Sequence, residues 1–239
     1  MQDKIQFVKE YFDHTDTYIT DNLVIGLRSK LLLKALPKIE NKEILDIGCG
    51  NGENTLQFIE NNKITYLDIS NNMLDIVRRR ITEKHLFNAE FINLDFESFN
   101  PHKKYDFLFL IGVLAHIDSI RKTFSQLSEL SKDDGIIILQ YTDPKNLISI
   151  LIRIIGFLKM IVGKKHGYKI NYYSTGEIHK NLDVYGLKSF KKVSFWPALP
   201  GFKLLPVHIR KFIYYEFLNS RMLQPLGGEI ILFVSKSKV

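Results

Sequence analysis

Three glycines at alternate positions, Gly48, Gly50 and Gly52, close the apolar run Ile44-Leu45-Asp46-Ile47 and precede a stretch of helical spacing. A strand ending in such a turn can bring its backbone close to a ligand, because glycine turns sharply and has no Cβ in the way. The spacing is GxGxG; the dinucleotide fingerprint GxGxxG would need a glycine where this chain has Glu53. Asp68 lies 20 residues beyond Gly48, at the end of a second apolar run. An acid there can accept hydrogen bonds from both hydroxyls of an adenosine ribose. Asp46 puts a carboxylate just before the turn, where a cationic arm of the ligand would sit. Asp95, in Asn93-Leu94-Asp95-Phe96, is placed to accept a bond from an adenine amino group.

These residues resemble the class I S-adenosylmethionine-dependent methyltransferase family, and particularly its small-molecule branch, which includes ubiquinone O-methyltransferases. Its first motif is similar to Leu45-Asp46-Ile47-Gly48-Cys49-Gly50-Asn51-Gly52, its second to Asp68-Ile69-Ser70 with Met73-Leu74, and its third to Asp95-Phe96. Tyr105-Asp106-Phe107 through Ile111-Gly112-Val113-Leu114-Ala115-His116-Ile117 is similar to the fourth strand and the turn after it. The resemblance covers about residues 8–140. Asn51 departs from the usual Thr or Pro, and Tyr66 from the Gly that usually precedes the second-strand acid. The resemblance implies S-adenosylmethionine as cofactor, held by Arg28, Asp46, Gly48, Cys49, Gly50, Gly52, Asp68, Ile69, Met73, Asp95, Phe96, Ile111 and Gly112. Arg28 can equally be a solvent-facing helix residue.

Methyl transfer from a sulfonium needs alignment of nucleophile, methyl carbon and sulfur, and removal of a proton from the nucleophile where it carries one. His116 is the candidate base; it can equally be a hydrogen-bonding group in the cap of the next helix. Tyr11 and Tyr18, with His14, are candidates for the opposite wall of an acceptor site, or a packing stripe. Tyr172 and Tyr173 complete the candidate acceptor residues. No metal is expected: Ile111, Gly112 and Val113 include no acid where metal-dependent relatives place a ligand. The Asn/Asp-Pro-Pro-aromatic signature of amino-methylating DNA enzymes is absent there too, and Cys49 is committed to the glycine turn.

The elements that must position these groups follow from periodicity. Residues 2–40 read as two helices, the second with Asp21 as N-cap. Apolar runs at 43–47, 63–68, 89–94, 105–111 and 135–140 alternate with helical spacing at 53–61, 71–84 and 119–131. Two more strands are expected near 190–196 and 229–235. The fold class is α/β, a doubly wound, seven-stranded, mostly parallel sheet with helical inserts after strands 5 and 6. One domain is expected over residues 1–239, with a helical cap at 1–40 and a cofactor core at 41–143. An insert at 144–190 and the last two strands at 191–239 complete it.

Composition is that of an ordinary globular chain, 45% apolar and 25% charged, with one cysteine and so no internal disulfide. No secretory signal is read at the start, and a cytoplasmic location, with possible membrane association, is expected. The net charge of +7 is unevenly spread. Residues 1–144 hold 17 Lys+Arg against 22 Asp+Glu, whereas residues 147–215 hold 12 against two, Glu177 and Asp183. Such asymmetry points to an anionic partner for the second half.

Asp143-Pro144 predicts a helix start, and Lys145 to about Gly163 carries a basic polar face opposite Leu, Ile, Phe, Met and Val. Arg153 and Lys159 make it a poor transmembrane span. An acceptor lid, a homodimer contact and peripheral membrane contact through 145–165 are the three readings. Ser174 with Glu177 is a capping box before the sixth strand. The expected acceptor is an apolar or amphiphilic small molecule: a quinone precursor, an isoprenoid, a polyketide-like compound or a glycolipid sugar. Basic and aromatic residues interleaved around Arg210, Lys211, Phe212, Tyr214 and Tyr215 make an RNA methyltransferase the alternative, although no nucleic-acid module is recognisable.

Overall fold

The structure, a computed structural model, describes residues 2–13, 23–146, 149–150, 171–195, 205–220 and 227–237. Two helices, α1 (Gln2–Asp13) and α2 (Leu23–Ala35), precede β1 (Glu43–Ile47), β2 (Lys63–Asp68), α3 (Asn71–Glu83) and β3 (Ala89–Asn93). β4 (Tyr105–Leu110), α4 (Ile120–Leu130) and β5 (Ser131–Thr142) follow, then α5 (Thr175–Val184), β6 (Leu187–Phe195), α6 (Val207–Asn219) and β7 (Glu229–Lys236). The seven strands form one sheet in the order β3-β2-β1-β4-β5-β7-β6. β1 to β5 pair in parallel, and β7 runs antiparallel between β5 and β6.

The apolar runs of β1, β2 and β4 are buried on both faces, as central parallel strands covered by helices must be, whereas β3 at the edge is not. On β1, Leu45 and Ile47 join a core with Leu127 of α4 and Leu182 of α5. Ile44 faces the opposite core, with Leu32 of α2 and Val77 of α3. Strand order reverses between β1 and β4, and open α/β sheets bind their ligands at such a switch point. The glycine turn and the segment after β4 therefore face one another at the carboxyl ends of the two central strands.

Two local expectations need revision. The helix expected at 53–61 is a 3-10 helix confined to Leu56–Asn61. The Asn62 side chain donates to the Phe58 carbonyl at 2.6 Å, the acceptor that its own N–H would use in an α-helix. That N–H goes to Ile59 instead, tightening the helix. Residues 144–146 form a turn rather than the first turn of a helix; the helical bond begins with Ile150 N–H to Asn146 O at 2.9 Å. Asp143 still caps locally, its carboxylate accepting from the Lys145 amide at 2.8 Å. The remainder of the expected 145–163 helix, and Asp21, lie outside the described residues. The capping box is present: Ser174 Oγ accepts from the Glu177 amide while the Glu177 carboxylate accepts from the Ser174 amide.

Candidate functional site

The glycine turn needs glycine at each of its three positions: φ is +60° at Gly48, +52° at Gly50 and +73° at Gly52. A Cβ on Gly48 would also run into the Val113 side chain from the segment after β4. A Cβ on Gly52 would press on Val77 at 3.1 Å, so that glycine lets α3 approach the turn. The end of β2 holds the turn from the other side. Leu67 O accepts from the Gly48 amide at 2.8 Å, and Asp68 Oδ2 accepts from the Gly50 amide at 2.8 Å. Asp68 Oδ1 accepts from the Ser70 amide at 2.9 Å. Ser70 N-caps α3 and donates its hydroxyl to Asp13, which docks the end of α1 beside the site.

These groups border a cleft of about 900 Å³, its open mouth included. Of the expected cofactor residues, Gly48, Gly50, Asp68, Ile69, Asp95, Phe96, Ile111 and Gly112 line it, and so does His116. Val8 of α1, Leu67, Leu94, Glu97, Ile117 and Asp118 also line it and were not singled out from sequence. Leu94 and Glu97 flank Asp95 and Phe96 and were open to the same strand-end reading. Val8 could be found only once α1 was known to dock on α3.

The other expected residues among those described do not line the cleft. Asp46 lies on the Ile44 face of β1 and accepts the Thr55 hydroxyl's proton in a buried hydrogen bond. Alternation along the strand turns it under the glycine turn rather than into the cleft. Cys49 points into the core with Leu56 and Ile59, and burial pushes its thiol well up. Met73 is buried, and its amide is used by the Ser70 cap. Gly52 faces Val77, as above. Arg28 stands behind Gly112, where its Nη2 pairs with Glu229 Oε2 at 3.0 Å. Tyr172 is half exposed, and Tyr173 packs against the core. Tyr18 and His14 lie outside the described residues, as does the Tyr11 side chain.

Electrostatically the cleft is acidic. Asp68, Asp95, Glu97 and Asp118 line it, and no lysine or arginine does among the described residues. Burial raises Asp68 to about 6 against the pull of the Ser70 and Gly50 amides. Asp46 rises to about 7, chiefly by burial, opposed by Thr55 and aided by Asp68. Asp95 is raised by burial and then by Glu97. Such a lining suits a ligand that brings positive charge. S-adenosylmethionine would fit on three counts: its cation would meet carboxylates, Asp68 has free acceptor positions for a ribose, and the bare Gly48 Cα would admit close approach. Among the described residues no three His, Cys, Asp or Glu cluster to hold a metal, and no helix is long and apolar enough to cross a membrane.

A family profile described as a methyltransferase domain matches residues 21–191. Malonyl-acyl-carrier-protein O-methyltransferase 2 of Ilyobacter polytropus is 37% identical over 98 residues, which are 40% of this chain and 37% of that protein. The matches span 33–41% of the length of the first three such relatives. Among solved structures, magnesium protoporphyrin IX methyltransferase from Synechocystis PCC 6803 with bound SAH superposes with a TM-score of 0.65 at 17% identity, covering 98% of this chain and 100% of that one. The N-methyltransferase NodS from Bradyrhizobium japonicum WM9, also with SAH, gives 0.64 at 13% identity, covering 99% of each chain. A glycine turn with strand-end acids, a 3-2-1-4-5-7-6 sheet and a profile match over most of the chain place it together: it belongs to the class I S-adenosylmethionine-dependent methyltransferase family.

Proposed function

We propose that this protein transfers a methyl group from S-adenosylmethionine to oxygen or carbon of an apolar or amphiphilic small molecule, without a metal ion. The observation that carries the proposal is the asymmetry of the cleft. Its β1–β3 side offers glycine backbone, Asp68 and Asp95, whereas its 111–118 wall is apolar except for His116 and Asp118. Asp68 keeps lone pairs for the ribose hydroxyls beyond the bonds it accepts from Gly50 and Ser70, and Asp95 takes the adenine amino group. Ile69 and Leu94 flank the base, and Ile111 and Gly112 border the methionine part. The bound cofactor supplies an electrophilic methyl group on its sulfonium. His116 then has one task, to accept the proton of the acceptor's hydroxyl or acidic carbon as the new bond forms.

The names of the relatives give malonyl-acyl-carrier protein and magnesium protoporphyrin IX as acceptors of those proteins, which favours a small-molecule acceptor here. The sequence of 145–165 supports an insert that covers the acceptor, with peripheral contact to a membrane or a second copy through its apolar face. One observation keeps RNA as a second reading: α6 exposes Phe212 and Tyr215 beside Lys211 and His208. Incubation with methyl-labelled cofactor and separated lipid, RNA and polar extracts tests the proposal. Label in the lipid or small-molecule fraction is expected, and label in RNA alone overturns it.

A further inference from the structure

The excursion between β5 and α5 is pinned at both ends to the same carboxylate. Asp143 accepts from the Lys145 amide at 2.8 Å on one oxygen, and from the Thr175 hydroxyl at 2.6 Å on the other. Tyr141 adds a hydroxyl contact to Thr175 at 3.0 Å. The segment that leads into α5 then reaches across to the segment after β4. The Asn171 amide donates to Ala115 O at 2.8 Å, and its side-chain Nδ2 donates to Ile117 O at 2.6 Å. The two carbonyls flank one residue, His116, whose own amide goes to Val113 O at 2.8 Å.

We infer that Asn171 is a positioning residue that fixes His116 in the cleft. The inference rests on the reading of His116 as proton acceptor. The geometry requires asparagine's particular chemistry. Two donors are needed a short distance apart, one on the main chain and one on a side chain just long enough to reach a carbonyl two residues further on. Aspartate has the length but no donor, and would face Ile117 O with a carboxylate. Alanine has neither. With Asn171 in place, the peptide planes on both sides of His116 cannot rotate independently of Asn171. The link was invisible in sequence, since 54 residues separate Asn171 from Ile117.

The test is spectroscopic. With isotope-labelled histidine, the His116 ring signal is identified among seven by its loss in His116→Gln. In the presence of S-adenosylhomocysteine, Asn171→Asp and the milder Asn171→Ala are expected to shift and broaden that signal, leaving the other histidines unmoved. Affinity for S-adenosylhomocysteine is expected to change less than about threefold, since Asn171 does not line the cofactor cleft. Transfer to the labelled acceptor fraction is expected to fall about 10- to 100-fold, the cost of a misplaced catalytic group. An unmoved His116 signal in either folded variant overturns the inference. If instead the signal moves but His116→Gln transfers methyl at the normal rate, the positioning stands and the base role of His116 falls.

Discussion

Asp68 Oδ2 accepts the Gly50 amide at 2.8 Å, so the acid that closes β2 also fixes the turn that closes β1. The carboxylate thus fixes the turn and, under the proposed function, holds the ribose as well. Asp68→Asn keeps the shape but removes the charge and one acceptor oxygen. Hydrogen bonds to charged groups contribute about 1.5–3 kcal/mol each, so affinity for S-adenosylhomocysteine should drop about 10- to 100-fold. Calorimetric titration measures it; unchanged affinity would mean that the ribose is held elsewhere.

The two buried carboxylates give a pH dependence whose sign is unusual for acids. Asp46 titrates at about 7 and Asp68 at about 6 in the folded protein, both above the ordinary carboxylate value of 3.8. Between those limits the folded state holds more protons than the unfolded one, so stability falls as pH rises from about 4 to about 7. Asp46→Asn removes one of the two groups and should flatten the fall. Each kcal/mol recovered raises the melting temperature by about 2–4 °C in a chain of this size. Thermal melts of the cofactor-free protein at pH 5, 6 and 7 decide it, and parallel curves for the two proteins would count against Asp46 as the titrating group.

The same proton count applies to binding. A cationic ligand favours ionised carboxylates in the cleft lining, Asp68 first, so proton release is expected when S-adenosylmethionine binds near pH 6, and less when neutral S-adenosylhomocysteine does. Titration calorimetry in two buffers of different ionisation enthalpy counts those protons. Equal release for both ligands would show that the carboxylates do not sense the sulfonium.

Much of this arrangement was legible in the sequence because it is local. Gly48, Gly50, Asp68 and Asp95 sit at the ends of apolar runs, and a parallel sheet puts all such ends on one side. What was not legible depends on direction or distance. Asp46 is next to the turn in sequence, but strand alternation carries its side chain to Thr55 and the α2–α3 core. Met73 follows the second-strand acid closely, yet helix α3 turns its side chain inward. Val8 and Asn171 reach the site only through tertiary contacts with α3 and the segment after β4, and no short-range pattern encodes either.

Gly48 faces two separate demands, a left-handed backbone and the Val113 side chain against its Cα. An alanine in that backbone region costs about 1–2 kcal/mol before any contact is considered. Gly48→Ala is therefore expected to lose stability and to bind S-adenosylhomocysteine at least tenfold more weakly. Adding Val113→Ala should return the part due to the contact and leave the backbone cost. Urea denaturation of the single and double variants separates the two, and full recovery in the double variant would refute the backbone term.

Arg28 and Glu229 pair at 3.0 Å with side chains only 13% and 16% exposed, and Gln140 donates to the same Glu229 oxygen at 2.9 Å. The resemblance implied that Arg28 helps hold the cofactor; the structure pairs it with Glu229, joining α2 to the start of β7. Removing one member of a buried pair leaves the other charge uncompensated and typically costs about 3–5 kcal/mol. Arg28→Met should therefore destabilise strongly, and Arg28→Met with Glu229→Gln should recover much of the loss. Affinity for S-adenosylhomocysteine, corrected for the folded fraction, should change less than about threefold, under 1 kcal/mol. A hundredfold loss of affinity at near-normal stability would return Arg28 to the cofactor. The double variant adds a second check, because a structural pair predicts coupling between the two substitutions in stability and none in binding.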